Sequence, residues 1–225
     1  MIISVIIPVL NEASIIERTL QRVISLEGDH EVIVVDGGST DATVSIASLY
    51  ARVLAGSRGR ATQMNIGAGE AKGEVIVFLH ADTFLPDGAF SVIEKYLVNS
   101  AIIGGRFKVR LDDAGWKYRI IGSSINLRDR LLKGFTGDQT IFIRTSVFKA
   151  LGGYRDMPLM EDLDLGRRMC RLGKVVQLPL YVITSARRWK KDGAVKTILL
   201  MWMLRLLYLL GYSPQRLKRF YGETR

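Results

Sequence analysis

The sequence predicts an α/β protein built on a mostly parallel sheet flanked by helices, and three observations predict it. Short uncharged runs rich in β-branched residues, Ile3–Val9, His30–Val35 and Glu74–Leu79, alternate with segments whose apolar residues recur at helical spacing. Each run stops abruptly at polar residues: Asn11-Glu12, Asp36-Gly-Gly, and His80-Ala-Asp82. At 225 residues and 48% hydrophobic content the chain has enough material for one sizeable core but not for two comfortable domains. Alternation of strand and helix at this spacing implies parallel pairing through right-handed crossovers.

Taken in order, Ile3–Val9 is a buried strand, and Ile15, Ile16, Leu20, Val23 and Ile24 mark one face of a helix over Ala13–Leu26. His30–Val35 is the second strand. It closes on Asp36-Gly-Gly-Ser-Thr-Asp41, where the glycines permit a tight turn and Ser39, Thr40 or Asp41 can cap the helix that follows. Arg52–Ala55 reads as a third strand, Gly59–Asn65 opens a third helix, and Glu74–Leu79 is the fourth strand. After Pro86 a helix over Asp87–Val98 leads into a strand from Ala101 to Arg110, in which Gly104 and Gly105 suggest a bulge or a close backbone approach. Ala114–Leu132 is helical, Thr140–Arg144 a short strand, and Ser146–Leu151 a helix closed by Gly152-Gly153. A helix opened by Met160-Glu-Asp runs to Leu172 and stops at Gly173. Two strands, Lys174–Leu178 and Tyr181–Ser185, finish the globular part, with no internal repeat and no low-complexity segment.

A single cysteine, Cys170, excludes an internal disulfide, and two histidines, His30 and His80, exclude a Cys/His zinc cluster. A reducing cytoplasm is the expected setting, because Ile2–Pro8 lacks the basic region and cleavage site of a signal peptide. The net charge of +10 is concentrated at one end: residues 187–225 carry ten Lys/Arg against two acids, Asp192 and Glu223. The chain therefore divides into a domain over residues 1–190 and a basic extension over 191–225. Within the extension Ile198–Leu210 holds one charge in thirteen residues. As a helix it spans about 20 Å, short of the roughly 30 Å hydrocarbon core of a bilayer. It suits peripheral contact with the inner face of the cell membrane, or burial against the sheet or in a homodimer through residues 196–212. The basic residues of the tail are not interleaved with aromatics outside this run, so nucleic acid is not an expected partner.

Ligands of open α/β sheets bind beyond the carboxyl ends of the strands, which places His80, Asp82 and Asp36 in a candidate crevice. Asp36 can accept hydrogen bonds from a nucleobase or ribose, or simply form its turn. Arg60, Gln63 and Asn65 at a helix start can hold phosphate or base, or form a polar helix face. Glu161 and Asp162, as acidic residues at a helix start, favour that N-terminus through its macrodipole. Asp164, about 200° around the helix from Asp162, is a solvated residue or a neighbour of Arg168. No G-x-G-x-x-G follows the first strand and no phosphate loop of the G-x-x-x-x-G-K-[ST] type occurs, so hydride transfer and P-loop chemistry drop out.

Four ordered motifs, Pro8-x-x-Asn11-Glu12, Val35-Asp36-Gly-Gly-Ser39-x-Asp41, His80-Ala-Asp82 and Glu161-Asp162, resemble those of the family-two glycosyltransferases of GT-A fold. Gly59-Arg60-x-x-Gln63-Met64-Asn65, Gly105-Arg106-Phe107, Gly137-Asp138-Gln139 and Ser185-Ala-Arg187-Arg188-Trp189 resemble a compact bacterial branch associated with arsenosugar or other specialised glycoside biosynthesis. The resemblance implies an inverting glycosyltransferase that moves a sugar from a nucleotide-sugar, a UDP-sugar first, to an acceptor hydroxyl on a lipid or small glycoside. Asp162 matches the family's catalytic base. Pro8, Asn11, Glu12, Asp36, Arg60, Gln63, Asn65, Ala81 and Asp82 fall on the nucleotide-sugar side. Arg106, Asp138, Glu161, Arg188 and Trp189 fall on the acceptor side. Asp82 is the metal-ligand candidate, and His80 replaces the acidic residue usual two positions earlier. Imidazole suits manganese better than magnesium, so either Mn2+ is favoured over Mg2+ or His80 contacts ribose or phosphate instead. The alternative is a catalytically silent module on the same fold that binds a nucleotide-sugar or a membrane surface.

Overall fold

A computed structural model describes residues 1–132 and 134–221 of the chain. Eight strands, β1 (Ile3–Val9), β2 (His30–Asp36), β3 (Arg52–Ala55), β4 (Val75–Phe78), β5 (Thr83–Phe84), β6 (Ile102–Leu111), β7 (Ile141–Arg144) and β8 (Lys174–Thr184), form one sheet in the order β3-β2-β1-β4-β7-β6-β8-β5. The first four are parallel, as the βα alternation requires. β7 then runs antiparallel between β4 and β6, and β6 pairs parallel with β8.

The sheet is covered on both faces. Along β1, Ile3, Val5, Ile7 and Val9 join one core with Ile16, Leu20 and Val23 of α1 (Ile16–Ile24), while Ile6 joins the other. The period of two is also plain in β4, where Val75 and Val77 face the first core and Ile76 and Phe78 the second. Beyond α2 (Thr43–Ala47) and α3 (Arg60–Gly69), α4 (Ala89–Leu97) adds Phe90 and Ile93 to the first core. The second core is closed by Met64 of α3, by Phe135, and, beyond α5 (Trp116–Leu132), by Phe148 of α6 (Thr145–Ala150) and Leu165 and Met169 of α7 (Glu161–Leu172).

Two departures from the sequence reading have local causes. The segments on either side of Pro179 are one strand, β8, whose register against β6 shifts between Arg106 and Lys108. Pro179 lacks an N–H, but β5 pairs only with Thr184 and Ile183, so the other edge of β8 at Pro179 is open and asks for no donor there. β5 itself, two residues long, is too short for any periodicity to announce. It is pinned by a buried hydrogen bond between the Thr83 and Thr184 hydroxyls at 2.9 Å.

The basic C-terminal segment folds back onto the domain as α8 (Arg187–Asp192), α9 (Ala194–Leu209) and α10 (Pro214–Tyr221). Leu204 and Leu217 are fully buried, Arg205 donates to Asp129 at 3.2 Å, and Tyr208 reaches Asp164 at 3.5 Å. Trp189 packs with Ile121, Ala186 and Ile198 in a small core between α5 and α9.

Gly104 and Gly105 in β6 sit where the register against β8 shifts and where neighbouring strands come unusually close. A Cβ on Gly105 would meet the Val176 carbonyl oxygen and the Phe142 ring. Gly105→Ala is therefore expected to destabilise the protein by about 1–3 kcal/mol through overpacking, read from urea unfolding. An unchanged midpoint would show that β6 and β8 separate freely at this point.

Candidate active site

The carboxyl ends of β2, β1 and β4 lie side by side, with Asp36 opposite Val9 and Phe78 opposite Ile6. At about 4.8 Å per strand, the loops bearing Asp36 and Asp82 are about 10 Å apart along one rim. β7 enters antiparallel, with Ile141 opposite Phe78, so the 3-10 turn Gly137–Gln139 just before it sits at the same rim.

Gly137 is the wedge that brings the rim and α7 together. A Cβ there would strike His80 Nε2 and come within 2.6 Å of Asp162 Oδ2. His80 Nδ1 lies 3.4 Å from Asp138. The imidazole is thus turned toward Asp138 and Asp162. The sequence offers His80 either as a metal ligand beside Asp82 or as a contact to ribose or phosphate; in the structure its ring lies against the Gly137–Asp138 turn.

The electrostatics of this corner are concentrated. Burial first, then the neighbouring Asp162 charge, pushes the Glu161 carboxyl up to about 7 against the pull of Arg60. Burial likewise raises Asp162; His80 and Arg60 oppose that shift and Asp138 adds to it. Burial alone would lower the Arg60 guanidinium, but Glu161, Tyr221, Asp162 and Asp138 more than offset it and hold it above its ordinary value. Tyr154, fully enclosed against Phe78 and Phe148, has its phenol raised by burial and by Asp162 and Glu161. Around these charges His80 Nε2, Thr136 Oγ1, both amide atoms of Gln139, Thr140 Oγ1 and Asp162 Oδ1 are buried with no hydrogen-bond partner among the described residues. Native cores rarely leave such groups unmatched, so this corner offers its donors and acceptors to water or to a ligand.

The backbone carries a matching signature. Among the described residues, the non-glycine residues with left-handed backbone are Asn11, Thr140 and Met160. They lie after β1, after the 3-10 turn and immediately before Glu161, so all three strained positions border the site.

On the other side of the rim Arg187 Nη2 lies 3.3 Å from Asp82 and 3.4 Å from Glu12. One guanidinium is shared by two carboxylates, of which Asp82 is the more exposed, at 30% of its side chain. Among the described residues no three His, Cys, Asp or Glu side chains converge as a ready-made metal centre. Two carboxylates around one cation do suit a hard divalent ion whose remaining positions are filled by phosphate oxygens and water.

The other sequence candidates are distributed by the fold. Asp36 accepts from Gly38 N at 3.0 Å and from the N–H and hydroxyl of Ser39, closing its own turn. Asn11 accepts from Thr40 N at 2.8 Å, Thr43 Oγ1 accepts from Glu12 N at 2.8 Å, and the two loops are thereby laced together. Asp41 accepts from Ala13 N and Thr43 N and so completes the lacing. Pro8 is buried within β1, and the Ala81 carbonyl accepts from Thr19. Gln63 donates both amide hydrogens, to Val9 O and Val35 O at 2.8 Å each, and clamps the ends of β1 and β2. Asn65 pairs with both backbone groups of Tyr154 and so fixes the residue that lies against Asp162. Arg106 is buried against Phe135, Arg188 stacks at 3.9 Å on Tyr221, and Trp189 belongs to the core beside α9. Asp164 is buried and ion-paired to Arg168 at 2.7 Å, as its helical position allows, and also to Arg155. Arg187 belongs to the basic Arg187-Arg188-Trp189 segment that the sequence singles out, whereas no local sequence signal marks Tyr154.

Residues 4–152 match the family described as Glycosyl transferase family 2. The chain is 30% identical over 198 residues to a PGL/p-HBAD biosynthesis glycosyltransferase of Mycobacterium bovis, covering 81% of this chain and 75% of that one. It is 27% identical to the probable glycosyltransferase YdaM of Bacillus subtilis, over 84% of this chain and 50% of the relative. The GT-A fold is shared with the mannosyltransferase PcManGT of Pyrobaculum calidifontis, solved with GDP-Man and Mn2+, at a TM-score of 0.67 and 20% identity over 97% of this chain and 67% of that one. Residues 1–349 of S. aureus TarS, solved with UDP-GlcNAc, align at a TM-score of 0.61 and 19% identity, over 82% and 58% of the two chains.

Because Glu161 is held at about 7 against an ordinary 4.5, the folded chain grips a proton that the unfolded chain has already released. Its penalty is absent below pH 4.5 and grows as the pH rises to about 7. Glu161→Gln should leave stability unchanged at pH 4.5 and raise it at about pH 8, as urea midpoints will register. An equal shift at both pH values would contradict the assignment.

Proposed function

The chain belongs to glycosyl transferase family 2, and from that premise we propose that it is an inverting glycosyltransferase using a nucleotide-sugar donor, with Asp162 as its general base. The observation that carries the reading is the buried Asp162 carboxylate: its pKa is raised, and its Oδ1 is unpartnered at the rim that also bears Asp82, Glu12 and Arg187. A carboxylate with a raised pKa is well matched to receiving a proton near neutral pH.

In this reading the donor diphosphate lies toward Arg187 and Asp82, and the acceptor hydroxyl lies toward Asp162. As the acceptor oxygen bonds to the anomeric carbon, its proton passes to Asp162 Oδ1. The anomeric carbon–oxygen bond breaks on the opposite face, and the electron pair leaves with the diphosphate, which inverts the centre. Arg187 neutralises part of the developing charge, and Arg60, with His80, opposes the rise that burial imposes on the Asp162 carboxyl. Asp82, with Glu12 beside it, would hold a divalent ion, which when bound supplies Lewis-acid stabilisation of the leaving diphosphate. Manganese is the first choice because the solved mannosyltransferase carries it. His80 serves to orient Asp138 and the Gly137 turn against Asp162. A UDP-sugar is the first donor to test, and the acceptor belongs with lipids or small glycosides, the latter in keeping with the compact branch that the motifs resemble.

The C-terminal extension supports a lipid-side location. No described helix is long and apolar enough to cross a membrane, and the 16 residues of α9 span about 24 Å. Yet α9 leaves Leu199, Trp202, Met203, Leu206 and Leu209 exposed, and neighbouring α5 leaves Trp116, Ile120 and Leu127 exposed. Lys191, Lys196, Arg216, Lys218 and Arg219 flank this surface, all solvent-exposed. Apolar side chains bordered by lysines and arginines are complementary to an anionic bilayer surface, and that is the occupant we assign.

Asp162→Asn should retain donor binding, seen as an unchanged thermal shift with the nucleotide-sugar, and lose about three decades of transfer rate. Near-normal turnover would refute the base assignment, and donor binding without transfer in the wild type across an acceptor screen would favour a silent binding module. Leu199→Asp combined with Leu206→Asp should abolish flotation of the full chain with anionic liposomes while leaving donor binding intact. Equal flotation of both forms, or none of the wild type, would remove the membrane assignment.

A further inference from the structure

The face of β6 and β8 that packs against α7 bears a groove of about 600 Å³, apart from the rim just described. Its walls include Arg106, Lys108, Arg130, Lys174, Gln177 and Cys170, and among the described residues no carboxylate lines it. Cys170 lies eight residues beyond Asp162 on α7, about 12 Å along the helix axis. The groove is a separate place on the molecule.

Arg106 is the anomaly at its base. It is only 3% exposed, and its guanidinium lies 4.6 Å over the Phe135 ring. Its Nη2 donates to the Asp129 carbonyl at 2.6 Å, and its Nε is buried with no acceptor. The Asp129 carboxylate offsets the Arg106 charge only in part, because it is shared: Arg128 donates to it at 2.7 and 2.9 Å and Arg205 at 3.2 Å. Burial accordingly holds both the Arg106 and the Arg205 guanidinium below their ordinary values. Beside Arg106 across the β6–β8 ladder stands Gln177, whose Nε2 is also buried with no acceptor. Two adjacent buried donors and three further cations around one cleft form a cradle that is complete except for an anion.

We propose that this groove is a second, phosphate-binding site, taking a ligand with one or two phosphate groups whose oxygens accept from Arg106 Nε and Gln177 Nε2 while Lys108, Arg130 and Lys174 neutralise the charge. The phosphate can arrive on a soluble metabolite or on a lipid headgroup.

Cys170, the only cysteine of the chain, lines the groove and reports its occupancy. The rate of Cys170 alkylation by iodoacetamide would be followed by mass spectrometry with inorganic pyrophosphate, and separately with phosphatidylcholine vesicles containing phosphatidic acid. Saturating phosphate ligand should slow alkylation about fivefold or more. Protection by pyrophosphate identifies a soluble source, and protection by vesicles alone a lipid one. Arg130→Gln combined with Lys174→Gln, both exposed positions, should lose the protection, and so should the shape-conserving Gln177→Leu. Arg187→Gln at the rim should keep it, which separates this site from the donor site and from the fate of the transfer mechanism. The proposal falls if neither ligand protects Cys170, if protection survives in both groove variants, or if it disappears in Arg187→Gln.

Discussion

Two neighbouring carboxylates, Glu161 and Asp162, are buried at the start of α7, and the surrounding structure is arranged to tolerate them. Like charges in a poorly solvated corner repel and lose hydration, so their protons are held more tightly than on free side chains. Arg60 from the start of α3 and His80 from the end of β4 supply the compensating positive charge. His80 comes this close to Asp162 because the backbone between them is thin at Gly137. A central sheet bearing α3 and α7 on the same face makes this meeting possible, because both helices pack on the core formed by Ile6, Ile76 and Phe78.

The strain is deposited at the same place. Met160 turns left-handed to aim α7, Thr140 does so to enter β7 after the Gly137 turn, and Asn11 does so where the first two loops are laced together. Each costs conformational energy that ordinary turns avoid, and each is held by surroundings that leave little choice. Unmatched polar atoms on Gln139, Thr136 and Thr140 add to that cost. A site that is strained, charged and under-bonded in the free chain can gain by binding a charged, hydrogen-bonding ligand, which is what a sugar diphosphate is.

The rim and the C-terminal helices are linked physically. Arg187, at the start of α8, holds Asp82 and Glu12, and Arg188 beside it stacks on Tyr221 of α10. The helix that shows its apolar side chains to solvent is anchored from behind by Arg205 on Asp129 and Tyr208 on Asp164. The extension is therefore continuous with the rim that carries Asp82 and Glu12.

Much of this was legible in the chain. The alternation of apolar runs and helical periodicities determined the parallel half of the sheet, since burial on both faces leaves a strand no room for polar residues. The punctuation after Val9, Val35 and Leu79 determined that Asp36, Glu12 and Asp82 would share one rim, because carboxyl ends of parallel strands align. The glycine pair in β6 declared the register shift. What the sequence could not decide was the direction of side chains beyond those ends. Gln63 ties the ends of β1 and β2 together, Asn65 holds the backbone of Tyr154, and His80 lies against Asp138, contacts that the spacing of those residues does not announce. Tyr154 and Arg187 join the site from segments remote in sequence. Periodicity fixes which face of an element is buried, but which polar groups meet across loops depends on long-range packing, and only the tertiary structure sets that.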